Sequence, residues 1–242
     1  MPLIKRNTIN NKYKFCFYDS VDSTNIIAKN LIKSSVDINN FIIVANEQVL
    51  GKGRLDRSWE SKKGNIFLSL ITDKASLHLY MHFIISLALS SFLQAKGYAA
   101  KCKWPNDIML DDKKLSGILM EKINQYIVIG VGINISNASI ANSTCLDIEL
   151  TDDFLLNFLD EFIKYFEYFV LEYKNNGFQS IKLQWLENSV HHIGQEITVK
   201  IAEIEHKGVF DGIGEAGELL LKTQYEIKKI FVGDVIYCRY DK

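Results

Sequence analysis

The chain has 242 residues with 28 Lys+Arg against 29 Asp+Glu, a formal charge of −1, so no global field draws it to nucleic acid or to an anionic membrane. Hydrophobic residues at 48% and aromatics at 12% exclude a disordered polyelectrolyte and supply enough apolar surface for one large core and one small one. Cys16, Cys102, Cys145 and Cys238 are widely spaced with no Cys-x-x-Cys pair, which argues against a zinc site or a disulfide framework and for the reduced thiols of a cytoplasmic protein.

The opening MPLIKRNTINNK lacks the apolar stretch of a secretory signal. Residues 23–33 (STNIIAKNLIK) predict a helix, with Asp22 or Ser23 available to accept from the first-turn amides and Ile27, Leu31 and Ile32 as its apolar stripe. Phe41 to Ala45 is a short run rich in β-branched residues and predicts a buried strand. It leads into the loop NEQVLGKGRLDRSWESKKG, after which Ile66 to Ile71 resumes as a strand. A buried helix from about His78 to Lys96 follows.

Lys101 to Lys122 predicts strand, turn and strand around the polar tip Asp111-Asp112-Lys113-Lys114. Such a hairpin brings Asn106, Asp107 and Lys114 to one end of the sheet. YIVIGVGI at 126–133 suits a central strand whose glycines let another backbone or a ligand approach closely. Leu155, Leu159, Phe162, Phe166, Phe169 and Tyr173 recur at helical spacing, and a second helix covers 177–188. Charges within 154–173 and serines within 83–93 make both apolar segments unfit to span a bilayer. After Gly194, alternating Ile197, Val199 and Ile201 and glycines at 208, 212, 214 and 217 predict a small all-β unit, packed on the rest without a flexible linker.

Three segments carry chemistry. GKGRLDRSWESKK places Lys52, Arg54, Arg57, Lys62 and Lys63 beside Gly51 and Gly53; it reads either as a solvated basic loop or as one whose amides and guanidinium groups grip an anion. Its spacing is not that of a P-loop. KWPND at Lys103 to Asp107, followed by KLSGILME at Lys114 to Glu121, is either a packed strand end or a site. GVGIN at Gly130 to Asn134 is explained as well by close packing as by a ligand. His191 and His192, without a third ligand, are assigned to a polar surface rather than to a metal.

Taken in order, DSTN at Asp22 to Asn25, GKGRLDRSW, KWPND, KLSGILME and GVGIN resemble the biotin protein ligase family over nearly the whole chain. The resemblance implies an α+β catalytic domain over 1–190, with a mixed sheet like that of class II aminoacyl-tRNA synthetases, and an SH3-like β-barrel over 191–242. It implies an ATP-dependent enzyme that forms biotinyl-5′-AMP and biotinylates a lysine of a biotin carboxyl carrier domain. Mg2+ is expected with the ATP and no metal site is expected in the protein.

By this resemblance, Ser23, Thr24, Asn25 and Gln48 face the biotin ring system, whose ureido group needs donors and acceptors. Gly51, Lys52, Gly53 and Arg54 fold over the biotin carboxylate and the adenylate phosphate, with Arg57 and Trp59 near the nucleotide. Lys114 contacts the carboxyl group and the α-phosphate, and Gly117 lets the backbone come close. Asn106, Asp107 and Asn134 line the adenylate end, and Arg239 reaches the nucleotide from the carboxy-terminal domain. Lys114, Arg54 and Asp107 form the catalytic set, although Asp107 reads equally well as a hairpin-capping carboxylate. Two positions depart from the family pattern: Lys52 stands where arginine is usual, and Leu55-Asp56 replaces a more basic or glycine-containing pair.

The same resemblance keeps a lipoate ligase or octanoyl transferase as a rival, with Cys102 the one thiol beside a motif, and a non-catalytic biotin-binding module as a second. About twenty residues precede DSTN, too few for the amino-terminal DNA-reading domain of some relatives, so no nucleic-acid or membrane partner is expected. Relatives often pair through the edge of the catalytic sheet, which allows a homodimer.

Overall fold

The computed structural model describes residues 8–9, 12–34, 38–138 and 140–236. In chain order its elements are β1 (Thr8–Ile9), β2 (Tyr13–Val21), α1 (Thr24–Ser34), β3 (Phe41–Gln48), β4 (Ile66–Thr72), α2 (Met81–Ala95), β5 (Lys101–Lys103), β6 (Asp107–Leu110), β7 (Lys113–Ile123) and β8 (Tyr126–Ile133). They continue with α3 (Asp152–Glu187), β9 (Glu196–Ile201), β10 (Ile204–Ile213), β11 (Leu219–Lys222), β12 (Ile227–Ile230) and β13 (Asp234–Ile236). The class is mixed α+β, with a large mixed sheet and a second, antiparallel one. Two compact units form, residues 1–78 with 108–164 and residues 79–107 with 165–242.

In the first unit the sheet runs β1-β2-β3-β4-β8-β7-β6. β2 and β3 are parallel, joined through α1, while β3–β4, β4–β8 and β7–β8 are antiparallel. Every residue of β4 is buried, which explains why its sequence is a continuous apolar run interrupted only by Ser69. On one face α1 lays Ala28 and Ile32 against Ile43, Ile71 and Val128. Fully burying each such aliphatic side chain contributes about 1.5–3 kcal/mol, far more than the intrinsic helix preference of this short segment.

The hairpin tip is tighter than the sequence pattern suggests. Asp111 and Asp112 both adopt positive φ (51° and 59°), the conformation of a two-residue hairpin turn, so Lys113 and Lys114 already belong to β7. The four residues of β6 run from Asp107 to Leu110, and Lys114 is the second residue of β7.

In the second unit α2 is buried on nearly every side, as its run of Phe83, Ile84, Ile85, Leu87 and Leu89 requires. Trp185 of α3 meets Phe83 edge-on at 5.3 Å and donates its indole N–H to Ser86 Oγ at 3.2 Å. The helical segments expected at 151–173 and 177–188 form one element, interrupted at Gly177, whose φ of 73° breaks the helical path. The small antiparallel sheet runs β12-β11-β10-β9-β13. Its turn at Gly217 accepts the Trp104 indole N–H at 3.3 Å.

His191 corrects the surface assignment of the histidine pair. It is 1% exposed and packs on the Phe210 ring at 5.4 Å, whereas His192 is exposed. Burial, reinforced by the charges of Lys103 and then His192, lowers its pKa from 6.5 to about 3. Two neighbouring residues at a chain reversal thus take opposite environments, which a local sequence pattern does not reveal.

Candidate active site

The first unit's sheet builds a cleft by omitting side chains. Strand register puts Phe67, Gly132 and Gly117 in one cross-strand row and Ser69, Gly130 and Leu119 in the next. Side chains alternate along strands, so Gly130 and Gly132 share the face on which Ile71 and Val128 pack against α1. Beyond the first turn of α1 that face continues as glycine. A Cβ at Gly130 would stand 2.5 Å from Asn25 Oδ1, one at Gly117 would stand 2.9 Å from Trp59 Cζ3, and one at Gly132 would collide with the Trp59 indole nitrogen. Close approach to the backbone, rather than strand packing alone, requires these glycines.

One wall of the cleft is polar and uncharged. Ser23, Thr24 and Asn25 are buried at the start of α1. The Gln48 side-chain oxygen accepts from Thr24 N at 2.9 Å and from Thr24 Oγ1 at 3.1 Å, while its amide nitrogen donates to Ser61 Oγ at 2.9 Å. Ser61 in turn donates to the Trp59 carbonyl at 3.0 Å. Ser69 Oγ lies 2.7 Å from Thr24 Oγ1 and 2.5 Å from Asn25 Oδ1, and Asn25 Nδ2 donates to Glu121 Oε2 at 2.8 Å. Lys29 Nζ closes the chain on Glu121 Oε1 at 2.5 Å. Ser61, Ser69, Lys29 and Glu121 are absent from the site expected from sequence. Ser69 carries a signal, a hydroxyl in the middle of an apolar run; Glu121 ends the KLSGILME segment.

The basic loop folds as a small hairpin across this wall. Trp59 N bonds Gly51 O at 2.9 Å and Gly53 N bonds Arg57 O at 2.7 Å. The tip is a 3-10 turn, Arg54–Asp56, in which Leu55 and Asp56 take positive φ of 54° and 56°. A Cβ at Gly51 would overlap Ser61 Oγ and lie 2.5 Å from the Trp59 carbonyl, so this glycine is needed for the loop to seat. The cations divide. Lys62 pairs with Glu60 at 2.5 Å and Lys63 with Asp19 at 3.1 Å, whereas Lys52 is 3.7 Å from Asp56 in an exposed contact worth little. Arg54 is half-buried and Arg57 exposed.

Trp59 and Lys114 meet over the glycine floor. Lys114 Nζ stands 5.3 Å from the centre of the Trp59 ring, a cation over an aromatic face. The indole N–H is buried with no acceptor among the described residues, a donor that a bound acceptor group would satisfy. Lys114 itself is pinned through its backbone: its N–H donates to Asn142 O at 3.0 Å and its carbonyl accepts from Thr144 N at 2.9 Å.

The structure thus brings together Thr24, Asn25, Gln48, Gly51, Trp59, Lys114 and Gly117 from the predicted set. Asn134 is buried, and its side-chain nitrogen donates to the Thr144 carbonyl at 3.0 Å, fastening the segment that holds Lys114. Asn106 and Asp107 are half-buried and belong to the second unit's portion of the chain. Arg239 lies outside the described residues. Cys102 is fully buried beside Ser90 Oγ at 3.3 Å, and burial pushes its thiol up to about 11, so it is held as a neutral packing group and not as a nucleophile. Among the described residues no cluster of three or more His, Cys, Asp or Glu is arranged to hold a metal ion. No described helix is long and apolar enough to cross a membrane.

The model of the biotin/lipoate A/B protein ligase family matches residues 17–134. A bifunctional ligase/repressor BirA of Bacillus spizizenii is 30% identical over 239 residues, covering 90% of this chain and 72% of that protein. The chain belongs to the biotin/lipoate A/B protein ligase family. A biotin–[acetyl-CoA-carboxylase] ligase of Paracoccus denitrificans is 28% identical over 205 residues, covering 74% of this chain and 83% of that one. Among solved structures, the biotin protein ligase of Aquifex aeolicus in complex with biotin and ATP shares the fold, with a TM-score of 0.77, 24% identity, and coverage of 92% of this chain and 97% of that one. The span matched to the biotin/lipoate ligase family contains the whole polar wall, the basic loop, the glycine floor and Lys114.

Proposed function

We propose that this chain is a biotin protein ligase, which joins biotin to AMP and then passes the biotinyl group to a lysine of a carboxylase's biotin carboxyl carrier domain. The observation that carries the reading is the site of this family member: a floor of Gly117, Gly130 and Gly132 that Trp59 and Asn25 approach closely, a wall of donors and acceptors, and a lysine over the indole. The planar cyclic urea of biotin suits such donors and acceptors, and an anion suits the Lys114 end.

In the first step a biotin carboxylate oxygen attacks the α-phosphorus of ATP, the bond to the β-phosphate oxygen breaks, and pyrophosphate leaves with its electron pair. In the second, an acceptor lysine amine attacks the carbonyl of the mixed anhydride, AMP leaves, and the amine loses a proton. No enzyme nucleophile is used, in keeping with a buried, neutral Cys102.

Lys114 and Arg54 hold the two anions together and stabilise charge growing at the phosphoryl oxygens. Lys52, Gly53, Arg57 and Trp59 complete the cover over carboxylate and nucleotide, and the loop closes after biotin enters, shielding the anhydride from water. Asn134 serves the adenylate end. Mg2+ bound to the triphosphate would neutralise phosphate charge, with no metal cluster among the described residues required to hold it. The roles divide as a catalytic domain over 1–190, of the class II synthetase type, and an SH3-like domain over 191–242; this division is one of task, since the compact units interleave the chain.

Incubating the chain with biotin, MgATP and a carrier domain, followed by intact mass, should show one biotinyl group per carrier. Pyrophosphate release should follow biotin and not lipoate. Release with lipoate alone would move the assignment to the lipoate branch, and binding of biotin without release would leave a non-catalytic binder.

A further inference from the structure

We infer that Glu121, pinned by Lys29, is a positioning residue that sets the donor–acceptor polarity of the cleft, so that the wall reads a ring N–H of the ligand at the Asn25 position. The inference rests on the biotin reading above and adds to it a residue that fixes which analogue is refused.

Glu121 and Lys29 bring charge to the end of a wall that is otherwise neutral. An ionised carboxylate accepts hydrogen bonds and cannot donate them. Glu121 Oε1 is held by Lys29 Nζ at 2.5 Å, which keeps the carboxylate in place, and its Oε2 accepts from the Asn25 amide nitrogen at 2.8 Å. Asn25 must therefore turn its nitrogen to Glu121 and its oxygen the other way. That oxygen points at the floor, since a Cβ on Gly130 would stand nearest to it. Ser69, 2.5 Å from the same oxygen, has one proton and must give it there. One acceptor-only group at the end of the chain thus orients Asn25 and Ser69 in sequence.

Without this constraint the Asn25 amide has two nearly equivalent settings, because Ser69 accepts as readily as it donates. Packing does not choose between them, since the two ends of the amide have nearly the same size. The charge does. Lys29 is part of the device because it fixes the carboxylate at the end of the wall, where the two side chains are only partly exposed, at 29% and 31%.

The test compares biotin with its two cyclic-carbamate analogues, in which one or the other ureido N–H is replaced by an isosteric oxygen. Binding of each is measured by titration calorimetry to the full chain and to Glu121→Gln, Glu121→Asp and Lys29→Met. The wild-type chain should bind biotin and refuse one carbamate over the other by about 10- to 100-fold, the range expected when two buried acceptors face each other. Glu121→Gln, whose amide can present either end to Asn25, should bring the two carbamates within about threefold of each other. Glu121→Asp, still acceptor-only, should keep the preference, and Lys29→Met should weaken it, which a purely structural role for the pair would not do. A Glu121→Gln chain that retains the wild-type preference overturns the inference, as does a wild-type chain that binds biotin but treats the carbamates alike. Should Glu121→Gln fail to fold, an undiminished preference in Lys29→Met overturns it equally. A wild-type chain that binds none of the three overturns the biotin reading itself.

Discussion

His191 makes the stability of the second unit fall steeply in mild acid. In the folded chain its imidazole is buried against Phe210 and its pKa is lowered from 6.5 to about 3, first by desolvation and then by the charges of Lys103 and His192. The unfolded chain takes up the proton near 6.5 and the folded chain refuses it until about 3. Stability is therefore intact above the unfolded value and is lost as pH falls toward the folded one, at about 1.4 kcal/mol per pH unit inside the window. Between pH 7 and pH 5 the loss is about 2 kcal/mol, a sizeable part of a typical domain's margin. Urea unfolding followed by the fluorescence of Trp104 and Trp185, both in this unit, measures it at the two pH values. His191→Leu keeps an apolar side chain of similar bulk and removes the titration, so its unfolding midpoint should move less than that of wild type by the equivalent of about 2 kcal/mol. Equal losses in the two proteins would mean that the folded imidazole is free to take a proton, and would refute the linkage.

Three further outcomes concern the cleft. Lys114→Ala should lower biotin-dependent pyrophosphate release by about 100-fold or more, as expected when a charge aimed at the transferring phosphoryl group is removed, and full retention would take Lys114 out of the first step. Arg54→Gly should let the adenylate escape, so that bystander proteins become biotinylated alongside the carrier domain; unchanged acceptor selectivity in a labelling gel would remove the loop as a cover. Gly132→Ala puts a methyl group into the Trp59 indole and should displace the ring, shifting fluorescence specific to Trp59 and weakening biotin binding while the far-ultraviolet dichroism of the fold is kept.

Features legible in the sequence are those encoded locally. β8 falls at 126–133 as its apolar and glycine run predicts, and α1, β3 and β4 lie within a few residues of their patterns. Leu155, Leu159, Phe162, Phe166 and Phe169 are all buried, as helical spacing demands. The misses are non-local. Glu121 reaches its partner Asn25 across 96 residues, a relation fixed by strand register and invisible to any window of sequence. His191 is buried because Phe210 arrives from β10, so the pair of histidines gives no hint of its divided environment. Lys113 and Lys114 resemble a continuation of the Asp111-Asp112 turn because charge alone cannot tell a loop from the first residues of a strand.

The cleft and the core are one surface with different side chains. On the face covered by α1, Ile71 and Val128 meet the aliphatic Ala28 and Ile32, and two residues further along the same strands Ser69 and Gly130 meet the polar Thr24 and Asn25. Each glycine in a strand interior costs about 0.5–1 kcal/mol, so the floor at 117, 130 and 132 weakens the sheet by about 2 kcal/mol before any ligand arrives. The adjoining aliphatic cluster of Ile71 and Val128 with Ala28 and Ile32 offsets this within the same sheet. A ligand seated on the floor adds back the missing contacts to the folded state alone, and its stabilisation grows with the logarithm of its concentration over its dissociation constant. Recognition and sheet stability are thereby coupled through the same backbone atoms.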